Sequence, residues 1–253
     1  MNQVTISNLM MQIKHNDLSV DLVRHLVLNS IRSYRTKFSN DYGELILCYD
    51  DKHYWRREYF PNYKSNRKKD RTDSSLNWNE LFETLNLIRD EIKEVFPYQV
   101  LQVDGAEADD IIATIVDCVS KTPTLFEKIL ILSGDKDFIQ LQVHNNVQQY
   151  SPTLKKYVNG KDPNDYKIEH IFKGDRGDGI PNILSPDNTF TDGLRQRPLG
   201  KKKIEDWKQV GTWPIDSWND ELKRNFQRNS KLIDLSLIPD EIKNNIYKCW
   251  NEK

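Results

Sequence analysis

The stretch Lys-Ile-Leu-Ile-Leu-Ser-Gly-Asp-Lys-Asp at residues 128–137 decides the fold, because a short apolar run ends there in a pair of acids. The stretches 45–49 and 98–103 have a similar form, and they end at Asp50-Asp51 and Asp104-Gly105. Short runs of this kind are typical of buried parallel strands. We therefore expect three parallel strands with acidic residues at or near their exits.

Helical patterns lie between these strands. The spacing of apolar residues predicts helices at roughly 18–33, 78–95 and 108–119, and a helical tail after residue 213. Alternating strands and helices predict an α/β fold, with a twisted parallel sheet flanked by helices. Ligands of such sheets bind beyond the carboxyl ends of the strands, so the acids are expected to meet at one edge.

Composition excludes several classes of protein. The 253 residues carry 37 Lys and Arg against 38 Asp and Glu, so the net charge of −1 indicates no particular partner. The three cysteines are far apart, which argues against a disulfide framework or a zinc motif. No apolar run approaches the roughly 20 residues of a membrane span, and no signal peptide is evident. We expect a soluble cytoplasmic protein without a membrane partner.

Eight acids form four clusters near predicted strand ends or in adjoining turns. They are Asp50; Glu107, Asp109 and Asp110; Asp135 and Asp137; and Asp175 and Asp178. Acids brought together repel one another unless cations are bound, and oxygen ligands suit hard divalent ions. No histidine or cysteine lies inside these clusters, which favours Mg²⁺ or Mn²⁺ over zinc. Two such ions commonly serve phosphoryl chemistry.

The stretch 52–71 carries eight Lys and Arg against Glu58 and Asp70, with five aromatic residues between them. A basic, aromatic segment predicts contact with nucleic acid, although a solvated basic loop has the same composition. The stretch 174–203 is rich in Gly, Pro and Asn and ends in Lys201-Lys202-Lys203.

Several motifs resemble the 5′ nuclease superfamily, which includes flap endonucleases and the 5′ nuclease domain of bacterial DNA polymerase I. They are Glu-Ala-Asp-Asp (107–110), Ser-Gly-Asp-Lys-Asp-Phe-Ile-Gln-Leu (133–141) and Gly-Asp-Arg-Gly-Asp-Gly-Ile-Pro-Asn (174–182). The stretches 22–31 and 54–57 resemble in particular the ribonuclease H subgroup of T-even-type phages. The resemblance runs across nearly the whole chain.

The resemblance implies a PIN-like 5′ nuclease core over 1–172, with a basic arch at about 52–77. It implies a helical duplex-binding region over 173–253, in which an insertion at about 184–198 replaces the compact hairpin of the family. It also implies two Mg²⁺ ions, for which Mn²⁺ can substitute. The first-metal ligands would be Asp50, Asp110 and Asp135, the second-metal ligands Asp137 and Asp178, and the further or water-mediated ligands Glu107, Asp109 and Asp175.

By the same resemblance, Lys64 and Arg67 would be catalytic, because they belong to Tyr-Lys-Ser-Asn-Arg (63–67), a match to an element that holds the scissile phosphate. The expected nucleic-acid contacts are Arg56, Arg57, Tyr59, Tyr63, Lys64, Arg67, Lys201, Lys202 and Lys203. The family also opens with an apolar strand that ends in a metal-binding Asp. We expect in-frame codons before Met1 to encode that strand.

The implied function is that of a structure-specific 5′–3′ exonuclease and flap endonuclease. It would act on DNA and on RNA–DNA hybrids with a 5′ end or 5′ flap. In the infected bacterial host cell it would remove primers and flaps during phage replication, with a single-strand-binding protein and a sliding clamp as partners. Two alternatives are a non-catalytic binder of branched DNA, lacking the first strand and its ligand, and a PIN-like RNA endonuclease.

Overall fold

The computed structural model describes residues 19–67, 77–122, 127–160 and 162–252. Its first half contains α1 (Val20–Tyr42), β1 (Ile46–Cys48), α2 (Trp55–Tyr59), α3 (Trp78–Val95), β2 (Gln99–Leu101) and α4 (Ala108–Lys121). Its second half contains β3 (Ile129–Leu132), a 3₁₀ helix (Lys136–Val143), β4 (Val147–Ser151), β5 (Lys156–Tyr157), α5 (Pro163–Lys173), α6 (Lys201–Val210), α7 (Asp220–Ile233), a second 3₁₀ helix (Leu235–Leu237) and α8 (Asp240–Asn251).

The parallel pairing expected of an α/β fold is present. β1 pairs with β2 in parallel, with Leu47 opposite Val100, and β3 pairs with β4 in parallel, with Ile131 opposite Gln149. β5 adds to β4 in the antiparallel direction. The described strands form these two sheets, and all three predicted strands occur within them. β4 and β5 were not predicted, because polar residues interrupt their sequences.

Helices cover both faces of the β1–β2 pair, because successive side chains of a strand point to opposite faces. Leu47 and Val100 lie in an apolar cluster with α1 and α3, whereas Cys48 and Leu101 lie in a second cluster with α4 and α8. The prediction of a parallel sheet flanked by helices is confirmed. The edge that carries the acids is therefore built on a core buried on both faces.

The predicted helix boundaries agree to different degrees with the structure. α3 spans Trp78–Val95 as expected, and it begins where the Asn77 side chain accepts a hydrogen bond from the Glu80 backbone N–H. α1 continues well beyond the predicted end near residue 33, and it stops at Gly43, whose positive φ of 74° suits glycine. Apolar residues of α1, β1, α4 and β3 also line a cavity of about 330 Å³ that touches both sheets.

The C-terminal helices pack against two parts of the molecule. Phe172 of α5 lies in an aromatic cluster with Trp218 and with Phe226 of α7, whereas Ile246 of α8 packs into the core that contains α4. Contacts therefore cross the boundary expected between residues 172 and 173, and the division into two domains stays a prediction. None of the described helices has the length and apolar character that crossing a membrane requires.

Two expected features fall outside the described residues. The arch was expected at about 52–77, and the structure describes it only as far as residue 67 and again from residue 77. The strand expected before Met1 would precede the printed sequence, so the described residues do not bear on it.

Candidate metal centre

Three strand exits bring acids toward one edge of the fold. Asp50 follows β1, Glu107 caps the N-terminus of α4 after β2, and Asp135 caps the 3₁₀ helix that follows β3. Asp50 Oδ1 accepts a hydrogen bond of 2.8 Å from the backbone N–H of Ala108, which joins the exit of β1 to the start of α4. The parallel strands thus place these carboxylates at their carboxyl ends, as expected for such sheets.

Five of the acids form what we call the open group: Asp50, Asp109, Asp135, Asp137 and Asp175. Within the described residues, none of these five forms a salt bridge with a lysine or arginine. Burial raises the pKa of Asp109 well above its usual value, and repulsion from Asp135, Glu107 and Asp50 adds to this rise, although Lys64 opposes it. Negative charge is therefore concentrated here without a bound counter-charge.

The second part of the open group surrounds a histidine. His170 Nε2 lies 3.4 Å from Asp137 Oδ1 and 3.6 Å from Asp175 Oδ2. Burial raises the pKa of Asp137 to about 7, and the nearby carboxylates of Asp135, Asp178 and Asp175 contribute to the rise, while His170 opposes it. The other oxygen of Asp175 accepts hydrogen bonds from the backbone N–H groups of Gly177 and Asp178, so it holds the turn.

The other three acids, Glu107, Asp110 and Asp178, form what we call the paired group. Arg56, which is 3% exposed, places Nη1 2.9 Å from Glu107 Oε2 and 2.8 Å from Asp110 Oδ1. Its Nε donates a hydrogen bond of 2.9 Å to the carbonyl of Leu232. This arginine therefore ties α2 to α4 and to the end of α7.

Lys64 and Arg67 are the other two cations that contact the paired group. Lys64 Nζ contacts Glu107 and lies 3.7 Å from Asp178 Oδ2, and Arg67 forms a salt bridge with Asp178. The Tyr63 hydroxyl lies within hydrogen-bond distance of both Glu107 and Asp178, at 3.1 and 2.9 Å. Three cations thus face three acids, in contrast to the open group.

The adjacent acids of α4 occupy different surroundings. Asp110 is fully buried, and its Oδ2 accepts hydrogen bonds from Trp55 Nε1 at 3.1 Å and from the backbone N–H of Glu107 at 3.0 Å. Asp109 instead interacts electrostatically with Lys64 and Glu107 as well as with Asp135 and Asp50. The expected roles, with Asp110 as a first-metal ligand and Asp109 as a further or water-mediated one, stay a prediction. Successive helical residues point about 100° apart, so the two side chains leave α4 in different directions.

The structure separates the expected nucleic-acid contacts into two sets. Arg56 and Tyr63 are each 3% exposed and contact acids of the paired group, and their part in nucleic-acid binding stays a prediction. Arg57, Tyr59 and Arg67 are exposed, and so are Lys201, Lys202 and Lys203 at the start of α6. Lys64 is intermediate between these two sets, because its side chain is 13% exposed.

Sequence reasoning missed His170. No histidine occurs inside the acidic segments, which was our reason to disfavour softer metals, but α5 brings this one beside Asp137 and Asp175. Its ring stacks on Tyr166 one helical turn earlier, with centroids 5.6 Å apart. The only signal in the sequence is its position at the end of the helix that leads into Gly174-Asp175.

Comparison with a family model agrees with this geometry. Residues 10–171 match the model described as 5′-3′ exonuclease, N-terminal resolvase-like domain. The match spans more than half of the chain and contains the described strands, α4 and most of α5.

Two curated relatives illustrate the range of the similarity. Ribonuclease H of Enterobacteria phage T4 is 34% identical over 99% of this chain and 84% of its own length. Flap endonuclease Xni of Shewanella sp. (strain MR-4) is 31% identical, over 51% of this chain and 48% of its own length.

Solved structures share the fold. The flap endonuclease of bacteriophage T5, in a pseudo-enzyme–product complex with DNA and metal ions, aligns with a TM-score of 0.69 at 20% identity, over 97% of this chain and 96% of that one. The T5 5′-exonuclease with bound zinc aligns with a TM-score of 0.67 at 19% identity, over 97% and 96%. From the family model and the full-length relative, we conclude that this chain belongs to the 5′–3′ exonuclease family, whose members include flap endonucleases and phage ribonuclease H.

Proposed function

We propose that this protein is a metal-dependent 5′ nuclease that hydrolyses phosphodiester bonds in DNA and RNA–DNA hybrids near a 5′ end or 5′ flap. One observation carries the proposal: the open group gathers five carboxylates, from two strand exits, the first turn of α4 and the turn after α5, without a lysine or arginine bound to them in the described residues. Such a concentration of charge is costly in a folded protein unless a cation joins it.

The residues fit a two-ion centre. Asp137 and Asp175 belong, with His170, to a group whose ligand atoms all lie within 4.8 Å of one another, and they would hold the second ion. Asp50, Asp109 and Asp135, whose charges repel one another, would hold the first through the hard oxygen ligands that Mg²⁺ and Mn²⁺ accept. Bound divalent ions would supply positive charge that makes a coordinated water more acidic and offsets charge on the phosphate. Asp178 is held by Arg67 and Tyr63, and we assign it a positioning role at the edge of this centre.

Lys64 is well placed to act on the scissile phosphate. Its φ of 56° is in the left-handed region, and its backbone N–H donates a hydrogen bond of 2.8 Å to the carbonyl of Asp178. The conformation is costly for a residue with a side chain, and such strain is common at functional sites. It holds the ammonium group beside both acidic groups, where it can exchange a carboxylate partner for a phosphate oxygen as substrate enters.

The exposed cations extend from this centre along the chain. Arg57 and Tyr59 would meet the strand near the 5′ end, where the ring of Tyr59 is open to stacking with a base. Lys201, Lys202 and Lys203 would contact duplex phosphates at the N-terminus of α6, where the helix dipole also favours anions. The structure of the related T5 enzyme with DNA supports a nucleic-acid partner of this kind.

The likeness to ribonuclease H of Enterobacteria phage T4 supports a substrate that contains RNA paired with DNA. We infer that the protein removes RNA primers and displaced flaps in an infected bacterial cell. A single-strand-binding protein and a sliding clamp are the partners that such a role needs.

A cleavage assay on oligonucleotides labelled at the 5′ end tests this proposal. The substrates are a 5′ flap, an RNA–DNA duplex with a free 5′ end and a closed hairpin without an end. We expect Mg²⁺-dependent products from the first two, none from the hairpin, and no products in the presence of a chelator. Tight binding of the flap without cleavage in Mg²⁺ or Mn²⁺ would instead support a non-catalytic binder of branched DNA.

A further inference from the structure

His170 occupies a position that suits a metal ligand. Its Nε2 faces Asp137 Oδ1 at 3.4 Å and Asp175 Oδ2 at 3.6 Å, and the ligand atoms of the three residues all lie within 4.8 Å of one another. Two ligands at about 2.1 Å from one ion lie about 3.4 Å apart at a tetrahedral angle. An ion between these three atoms therefore needs only small side-chain adjustments.

The nitrogen is also unsatisfied. His170 Nε2 is buried without a hydrogen-bond partner in the described part of the chain, although two carboxylate oxygens lie close to it. A buried polar atom of this kind normally has a partner, so its lack of one points to a ligand. The ring is held in place by the stack on Tyr166 and by its position in the last turn of α5.

We propose that His170 is a direct ligand of the second ion and makes that position selective for first-row transition ions over Mg²⁺. Imidazole nitrogen binds Mn²⁺, Co²⁺ and Zn²⁺ well, whereas Mg²⁺ prefers oxygen ligands and keeps its waters. The site would then combine one nitrogen and two carboxylate oxygens, with the remaining positions open to water or a phosphate oxygen. This inference rests on the proposed nuclease site, because Asp137 and Asp175 belong to both.

The alternative role for His170 is that of a positively charged partner for two acids, which would make the same close contacts. The two roles predict opposite effects when the ring is removed. Loss of a ligand weakens the binding of a transition ion, whereas loss of a positive charge leaves that binding unchanged or strengthens it.

The test uses the whole protein, freed of metal with a chelator and titrated with Co²⁺ while its visible absorption is followed. His170→Ala removes the ligand, and His170→Lys keeps a positive charge beside the acids but offers no lone pair at neutral pH. His144→Ala is the matched control, because His144 Nε2 also lies near a carboxylate, 3.5 Å from Asp117 Oδ1, but outside the site. Circular dichroism checks that each variant is folded.

We expect both variants of His170 to weaken Co²⁺ binding by at least about tenfold and His144→Ala to leave it unchanged. Calorimetry should show that Mg²⁺ binding changes much less, so the preference for Co²⁺ falls. Binding of Co²⁺ by folded His170→Ala that is as tight as wild type, or tighter, would overturn the inference. If the wild-type protein cleaves DNA with Mg²⁺ in spite of that result, the proposed function stands and only the ligand role of His170 is lost. If the wild-type protein does not cleave DNA but His170→Ala weakens Co²⁺ binding, the ligand role stands and only the proposed function is lost.

Discussion

The open and paired groups lie side by side, but they differ in how their charge is balanced. In the paired group, Arg56, Lys64 and Arg67 face three acids, and Arg56 is almost fully buried. In the open group, no lysine or arginine among the described residues forms a salt bridge with an acid, and the pKa values of Asp109 and Asp137 are raised. The comparison teaches that acids of one motif differ in their surroundings according to whether the fold brings an arginine or a lysine to them.

The largest expected effect comes from breaking the paired group at its centre. Arg56→Met should lower the free energy of unfolding by about 3–5 kcal/mol, because Asp110 would remain buried without a cationic partner and Glu107 would retain only Lys64. The exposed neighbour provides a matched control: Arg57→Met should change that free energy by less than about 0.5 kcal/mol. Chemical denaturation of the metal-free proteins measures both. Equal stability of the two variants would mean that the buried arginine contributes nothing to the fold.

Substitutions in the open group should instead lower the nuclease activity. Asp135→Asn should lower the rate of flap cleavage by about a thousandfold, because a neutral amide is a poor ligand and leaves the phosphate charge uncompensated. Binding of the DNA should change little, since the affinity comes mainly from lysine and arginine.

The control for this variant is Asp117→Asn, which removes an exposed acid paired with Lys121. Its cleavage rate should equal that of the wild type. Full Mg²⁺-dependent activity in purified Asp135→Asn would show that the open group is not the reacting centre.

Lys64 lies at the border between the groups and should give an intermediate effect. Lys64→Ala is expected to lower the single-turnover cleavage rate by about a hundredfold, with a smaller loss of DNA affinity, because its charge is needed most as charge develops on the phosphate. Arg67→Ala should act in the same direction. Lys121→Ala, an exposed lysine paired with Asp117, is the control. If rate and affinity fell together at Lys64, the side chain would serve only to hold substrate.

The smallest effect compares two adjacent acids. Asp110→Asn should destabilise the metal-free protein by about 1–3 kcal/mol, because the charge opposite Arg56 is lost. Asp109→Asn should leave that stability unchanged or raise it, since it relieves repulsion, but it should remove most of the stabilisation that Mn²⁺ provides. Denaturation with and without Mn²⁺ distinguishes them. If the two variants behaved alike, the assignment of these acids to different groups would be wrong.

The sequence was sufficient to predict the fold that carries the site, whereas the roles of the acids in it stay predictions. Short apolar runs that end in acids were enough to predict the three strands and the α/β fold, because burial on both faces requires such runs. Glu107 and Asp110 are three residues apart, which can place two side chains on one helix face, and both contact Arg56. The choice between Asp109 and Asp110 depends on the rotation of α4 about its axis, and no residue spacing within the motif determines that rotation.

Other features depended on contacts that are remote in sequence. In the sequence, Arg56 is one of several cations in a basic stretch. It is buried because it donates a hydrogen bond to the carbonyl of Leu232 and forms a salt bridge with α4. His170 lies in a helix with no motif of its own, and it meets Asp137 only because α5 packs beside the 3₁₀ helix. Neither the contacts of Arg56 nor those of His170 can be predicted from the order of residue types along the chain.

The most direct measurement of the central claim is a crystal structure of the protein soaked in Mn²⁺, with anomalous differences used to locate the ions. We predict anomalous peaks within the open group, one near Asp109 and Asp135 and one between Asp137, Asp175 and His170. The paired group should show none, because its acids already have cations bound. Peaks beside Glu107 and Asp110, or no peak near Asp135 at saturating Mn²⁺, would contradict the account.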